Sequence, residues 1–571
     1  MVMSYGYDRT RPRTRVELDA SSLSSSNVAS EKPLVLLGSA SGGEPHVPHE
    51  ITNFAQAKEI FRSGELVDAI EMAWRPSPNT SGAGKIYAVR TDDAKGAKLE
   101  EGGLTVKSKL FGHDANNIQV EYSDNESTGS KRFSVYFTQE RYDRTYDNIG
   151  NIFTIRYTGE EAQASIKIEV DADTKLAKHL ILSVGDTSEE GEMVEVRKYD
   201  LGVGVYENVN VLVNDINNLP DFEAEMNNLG GSKDIASNLL DEVETENIKG
   251  RRATITAVAG DLINRTRNDK YIQIEVDFKK GIPEELELQN LKGGETSPAP
   301  ASWADMFYKV ADLGAYYIVP LTSDEAVHGE LSQFLTDESD SGNHLRGMVG
   351  GGKEESIEEL RARQMNLRNS RIGVTGNSGT RRMADGRAYN FSGYMFAALV
   401  AGIASGLEVG EPITYKHLSI EALDRKFTGS QLDQLDATGV IMAEFVRTRN
   451  TSYFRLTSDP TTYNSSTEPV QNRISLGEVS DFLTTEIRTI LDEEFIGTKI
   501  HHTSASILKN RVESYLDTQK DVGGLIVDYS PDDVQVVITG NTARINLAVQ
   551  PTQGLDYINV FIKYEDSELV G

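Results

Sequence analysis

The sequence predicts a multidomain chain of mixed α+β and α/β class. Its parts are a discontinuous three-layer α/β core, β-rich insertion domains, and a C-terminal helix–helix–hairpin domain. Three observations carry this reading. Strand-like and helix-like stretches alternate over 34–90 and again over 302–405, a texture that lays helices on a parallel or mixed sheet. From about Gly102 to Leu201 that alternation gives way to short strands separated by turn residues, the pattern of an all-β unit. The last stretch, Ser475 to Gly571, has its own order of helix, helix, hairpin and final strand.

Taken in order, residues 1–30 form a polar N-terminal arm. It carries Arg9, Arg11, Arg13 and Arg15, a possible short strand at Val16-Glu17-Leu18, and a Ser-rich run from Ser21 to Ser30. Composition alone fits a disordered terminus equally well. The first part of the core spans 31–101. Leu34-Val35-Leu36-Leu37 reads as a buried strand, followed by a Gly-rich loop from Gly38 to Gly43. Helices at 53–62, capped by Asn53, and at 65–74 lead to a strand at 85–90. A β-rich insertion at 102–201 carries strands near 118–122, 132–137, 152–157, 165–170, 179–184 and 193–199. A second, acidic and mixed insertion at 202–295 carries apolar segments near 209–213, 253–257 and 271–276. The second part of the core spans 296–474. Helices at 302–313, 323–336, 355–368 and 391–405 alternate there with strands at 316–319, 345–349 and 372–375. No internal repeat is present.

The C-terminal domain spans 475–552. Ser475 with Glu478 has capping-box spacing, and Val479, Phe482, Leu483, Ile487, Ile490, Leu491 and Phe495 make one apolar stripe at helical period. A second helix from Ser504 carries Ile507, Leu508, Val512, Tyr515 and Leu516 on one side. Val534, Val536 and Ile538 alternate up to Gly540-Asn541. Ala543, Ile545, Leu547 and Val549 alternate on the way back, and Pro551 stops the strand. Residues 553–571 form a C-terminal arm. Its strand, Tyr557 to Tyr564, places Ile558, Val560 and Ile562 on one face and Tyr557 and Phe561 on the other. A terminal strand of this kind closes its own sheet or adds to a neighbour's.

Composition narrows the function. The chain has 571 residues, enough for several domains. Its net charge of −30 opposes direct contact with nucleic-acid phosphates or anionic membranes, while keeping free subunits soluble. There is no cysteine, which excludes disulfides, thiolate metal sites and a cysteine nucleophile. The longest apolar run, Met395 to Ala404, falls short of the roughly 20 residues of a membrane span and predicts a buried core helix. Met1 to Arg15 lacks the apolar stretch of a secretory signal, so the protein is expected to stay where it is made until a larger event releases it.

No catalytic residue, cofactor or metal site is predicted. Gly347 to Lys353 fits G-x-x-x-x-G-K between a strand and a helix, but a phosphate-binding loop then needs Ser or Thr, and here Glu354 and Glu355 follow. Gly38 to Gly43 lacks dinucleotide-loop spacing. His46 and His49 flank Pro48, and His501 adjoins His502, without the companions of a zinc site; both pairs read as solvated loops. Asp171 and Asp173 begin like a calcium loop that Lys175 and a missing glycine spoil. With 88 acidic residues, a pair of carboxylates is uninformative. Gly376-Asn377-Ser378-Gly379 lacks nucleophile-elbow spacing.

An ordered series of segments resembles the contractile tail sheath proteins of myovirus-type bacteriophages. The series is Leu291-Lys292-Gly293-Gly294, Trp303, Tyr316 to Leu321, Gly350-Gly351-Gly352, Ala401 to Gly406, Gly410 to Thr414, Thr461-Thr462, Phe495 to Thr498 and Ser504 to Ile507. Phe61 to Leu66 and the length resemble the large sheath proteins of phages infecting Gram-positive hosts. The resemblance covers most of the chain, and no single motif is diagnostic. It implies a structural subunit of the virion, assembled in the host cytoplasm into stacked hexameric rings around a tail tube. Baseplate and tail terminator proteins would be its other partners. Contraction would drive the tube through the host envelope without ATP. It also implies that the terminal strands, with Val16, Leu18, Tyr557, Ile558, Val560, Phe561 and Ile562, link neighbouring subunits. Two rival readings are a β-rich tail adhesin or depolymerase, which the lack of repeats opposes, and a nucleotide-dependent enzyme.

Overall fold

A computed structural model describes residues 32–185, 193–227, 231–296, 302–464, 469–496, 504–540, 542–555 and 560–561. Its organising element is a seven-stranded sheet. In spatial order the strands are Pro48–Ile51, Ile86–Arg90, Leu34–Gly38, Tyr317–Pro320, Arg346–Gly350, Ile372–Thr375 and Val440–Ile441. All neighbours pair in parallel except Pro48–Ile51, which is antiparallel to Ile86–Arg90. Leu34–Gly38 thus lies between a strand from before residue 100 and one from after residue 300. A sheet buried on both faces needs continuous apolar runs rather than alternation, and Leu34 to Leu37 are fully buried. Leu34 and Leu36 face one apolar cluster, Val35 and Leu37 the other.

Helices cover both faces. Helix α1 (Phe54–Phe61) starts at Asn53, whose side chain accepts from Gln56 N, and α2 (Glu65–Trp74) follows. Helices α3 (Val209–Ile216) and α4 (Val258–Thr266) lie in the insertion. The core resumes with α5 (Trp303–Ala311), α6 (Glu325–Asp340), α7 (Ile357–Leu367), α8 (Gly393–Gly406) and α9 (Gly429–Thr438). Helices α2 and α8 pack on the Leu34/Leu36 face, α5, α6, α7 and α9 on the other. The run Met395–Ala404 lies inside α8 and is buried throughout, as a helix apolar all round must be. Gly402 allows α2 to approach closely: a Cβ there would sit 2.4 Å from the Ala73 carbonyl oxygen.

The region between the two core parts departs from the sequence reading. That reading divides it at residues 201 and 202 into two insertions. All four sheets of the region draw strands from both sides of that line. Ile272–Val276 pairs with Leu104–Phe111, Leu286–Asn290 with Gln119–Asn125, Phe222–Met226 and Ala253–Thr256 with Asn151–Tyr157, and Val243–Asn247 with Gln163–Val170. The start at residue 102 also moves, because Gly96–Glu101 pairs with Leu104–Phe111. Two apolar clusters sit one within the other along the chain. Residues 97–149 and 258–291 build the first, and residues 152–257 build the second. Backbone bonds from Lys95 N to Glu295 O (2.8 Å) and from Lys98 N to Lys292 O (2.8 Å) close the neck. The apolar segment at 209–213 opens α3, with the Asn208 side chain accepting from Val211 N.

Helix α10 (Ile474–Phe495) begins the C-terminal module and α11 (Ser504–Thr518) follows. The expected capping box at Ser475 is absent. Arg473 is the N-cap residue, and Ser475 lies inside the helix. Its amide and hydroxyl both donate to the Asp459 carboxylate, which caps the helix from outside. Gln535–Thr539 and Thr542–Asn546 form the predicted hairpin. The returning strand then breaks, and Val549–Pro551 pairs instead with Ile526–Tyr529. Of the predicted α11 stripe, Leu508, Val512, Tyr515 and Leu516 are buried, while Ile507 is exposed.

Candidate functional site

The apolar stripe of α10 is covered unevenly. Val479 and Leu483 are buried at the end nearest the core, whereas Ile487, Ile490, Leu491 and Phe495 are only half-buried. Opposite them stand Ile545 of the returning strand, Leu547 in the break after it, and Val549 of the strand Val549–Pro551. Between the two lies an open groove of about 1080 Å³ lined mainly by apolar side chains. Its length follows from the sequence: the stripe runs on to Phe495, while only Val479 and Leu483 are buried, in a cluster with Val512, Tyr515 and Leu516 of α11.

Of the predicted arm residues, Val16, Leu18, Tyr557, Ile558 and Ile562 lie outside the described residues. Val560 and Phe561 are described, and they are 73% and 95% exposed. In a single chain, two large apolar side chains of the C-terminal arm therefore face solvent.

The base of the module is polar and buried. Lys32, where the described chain begins, is 2% exposed and Glu478 of α10 is 1% exposed. The Lys32 ammonium donates to both Glu478 oxygens (3.0 and 3.2 Å) and to the Glu408 carbonyl (3.1 Å). The Tyr317 hydroxyl and Gly410 N also donate to Glu478, the latter at 3.0 Å. One turn on, Asp481 accepts from Tyr316 Oη, Arg346 Nε and Arg371 Nη2 at 2.9, 2.9 and 3.1 Å. Burial alone would raise the Asp481 carboxyl, but Arg346 and Arg371 outweigh it and hold it below its ordinary value. Gly477 makes room for this: a Cβ there would lie 2.1 Å from Arg346 Nη2. Sequence reasoning missed the cluster, because its members are scattered from residue 32 to residue 481.

The nucleotide-loop pattern has a different use. Glu355 folds back so that its Oε1 accepts from Gly352 N (2.9 Å) and Arg363 Nη2 (2.6 Å). Tyr394 N and Gly393 N at the start of α8 donate to the carbonyls of Gly351 and Gly352. Two amides of the loop are thus taken by the chain itself, Gly352 N by Glu355 and Glu354 N by the Ser378 hydroxyl (3.1 Å). His46 lies in a loop with its Nε2 2.9 Å from the Asp93 carboxylate; His49 lies in the edge strand Pro48–Ile51 rather than in a loop, and His501-His502 lie outside the described residues. Asp171 closes a hairpin turn by accepting from the amides of Thr174 and Asp173. Those bonds, with Lys178, hold its carboxyl well below the ordinary range.

No protein-family model matches the chain. A tail sheath protein of Staphylococcus phage Twort is 41% identical over 583 residues, 98% of each chain. A protein of Enterococcus phage phiEF24C, provisionally named a tail sheath protein, is 46% identical over 561 residues, again 98% of each. The chain belongs to the tail sheath protein family. Tail sheath proteins are structural components of the virion, and this one is not an enzyme. The sheath tail protein of Desulfitobacterium hafniense has the same fold, with a TM-score of 0.53, 14% identity and coverage of 95% of this chain and 96% of that one. The solved sheath tail protein from Listeria innocua gives the same TM-score over 91% and 92%.

Proposed function

We propose that this tail sheath protein polymerises as stacked hexameric rings around a tail tube, between a baseplate and a tail terminator. It contracts there to drive the tube through the host envelope. The three-layer α/β body moves as a unit, and the terminal strands keep neighbours joined. Assembly takes place in the host cytoplasm, and the free energy of contraction comes from new contacts between subunits.

One observation carries this reading: an apolar groove and an apolar terminal segment, both open in the single chain. The groove between α10 and the strand Val549–Pro551 has room for an added strand. Val560 and Phe561 are exposed, and Ile558 and Ile562 flank them in sequence. An exposed strand apolar on both faces is a hazard unless something covers it. The proposed occupant of the groove is the segment 557–562 of a second copy. Backbone pairing contributes roughly 0.5–1.5 kcal/mol per bond, and each buried Ile or Val about 1.5–3 kcal/mol. Ordering the tether offsets part of this. A contact between unlike surfaces also propagates into rings and helices.

Truncation after Thr552 tests the reading. The expected product is a folded monomer with the circular dichroism of the full chain that forms no tubes in negative stain. Normal tubes from the truncated protein would place the linkage elsewhere.

A further inference from the structure

The N-terminal arm and the C-terminal module leave the body at one buried point. Lys32 is the first described residue after the arm, and Glu478 lies in the first turns of α10. Their ion pair is almost fully excluded from solvent. The Ser405 hydroxyl of α8 donates to the Lys32 carbonyl, so the backbone of the arm's root is held as well as its side chain. Pro33 O then accepts from Tyr316 N and Tyr317 N (2.8 and 3.1 Å), just before Leu34 enters the sheet. The other Glu478 contacts, Tyr317 and Gly410, come from the central sheet and from the segment after α8.

We infer that Lys32 and Glu478 form a clamp that positions the arm, so that the root of the N-terminal arm is tied to α10 of the same subunit as well as to the central sheet. The inference rests on the terminal-strand linkage proposed above. If one arm and one module bind two different neighbours, the two linkages of a subunit are then in series through this pair. A pull along the arm meets a buried salt bridge before it meets the hydrogen bonds of Leu34–Gly38. That strand joins both parts of the core, so peeling it would open the body. The nested insertion between residues 95 and 295 lies off this path, and its neck is closed by its own backbone bonds.

Breaking a buried pair by removing one charge leaves the other uncompensated. Glu478→Gln keeps a carbonyl oxygen that can accept from Gly410 N while removing the charge that pairs with Lys32. In the full-length protein the stranded ammonium is expected to lower the melting temperature. Amide exchange at the Lys32 root is expected to rise at least tenfold, and subunits are expected to leave preformed sheath at least tenfold faster on dilution. Lys32→Met added to Glu478→Gln removes the stranded charge: it should recover melting temperature while dissociation stays at least tenfold faster than wild type. Two results would overturn the clamp: dissociation of Glu478→Gln sheath at the wild-type rate, or dissociation that speeds up only in proportion to a loss of melting temperature. The truncation after Thr552 reports on the linkage separately. Loss of tubes there with wild-type dissociation here rejects the clamp alone.

Discussion

His328 shows how a buried polar group is made safe in this core. Arg363 Nη1 can only donate, so the Nδ1 atom at 3.2 Å must accept, and Nε2 carries the proton towards the Thr322 carbonyl at 3.0 Å. Both ring nitrogens are satisfied by the neutral imidazole. Burial pushes its pKa down to about 4; the Thr322 carbonyl opposes this, Arg363 reinforces it, and Glu325 and Asp324 act weakly upward. The folded value lies below the ordinary 6.5. The associated stability is therefore present above pH 6.5 and is lost as pH falls from 6.5 towards 4. Full loss amounts to about 3 kcal/mol. His328→Gln keeps both contacts and cannot titrate there. Thermal melts of wild type and variant should diverge with rising pH between 4 and 6.5 and run parallel above it. Parallel curves over the whole range would mean that His328 does not titrate in this window. Residue-level reading of the sequence failed where a local motif was put to another use. Ser475 and Glu478 have capping-box spacing, yet Asp459 caps the helix and Glu478 turns inward to Lys32. Local spacing cannot reveal a partner over 400 positions away.

At the scale of elements, the parallel core was largely legible. Runs such as Leu34 to Leu37 and Tyr317 to Val319 announce strands buried on both faces, and α8 is apolar all round. The insertion was legible as β-rich but not in its connectivity. Strand patterns say which residues face a core and nothing about which distant strand lies alongside. Hence Ile272–Val276 could not be matched to Leu104–Phe111 in advance, and Gly96–Glu101 was missed, with Lys98, Glu100 and Glu101 exposed on the strand. The observed pairing predicts the outcome of two deletions. Removing 102–201 strips partners from the strands at 222–226, 243–247, 253–256, 272–276 and 286–290, and the product should aggregate. Removing 95–295 at the neck, with a short Gly-Ser join, should leave a soluble core whose helix signal matches α1, α2 and α5–α11. A soluble product from the first deletion and aggregation of the second would show that the nested lobes are not the folding units.

At the scale of the whole molecule, the family was legible because an ordered series of short segments runs along the chain, although none of them is decisive alone. The sequence marks the apolar residues of the C-terminal arm, of which Val560 and Phe561 are exposed, but not the groove proposed to receive them. It depends on how much of the α10 stripe the rest of the module leaves open, and that is a property of packing. A net charge of −30 per subunit opposes assembly, so the linkage must rest on burial and backbone pairing rather than on attraction between like-charged bodies. The chain contains no cysteine, which gives a clean test of where the final strand goes. Ile487→Cys in the groove and Val560→Cys in the arm can be introduced together and oxidised in assembled sheath. Denaturing gels without reductant should then show a ladder of dimers and higher species, joined between copies. A band at monomer mass alone, with the thiols consumed, would place the strand in its own subunit's groove and contradict exchange.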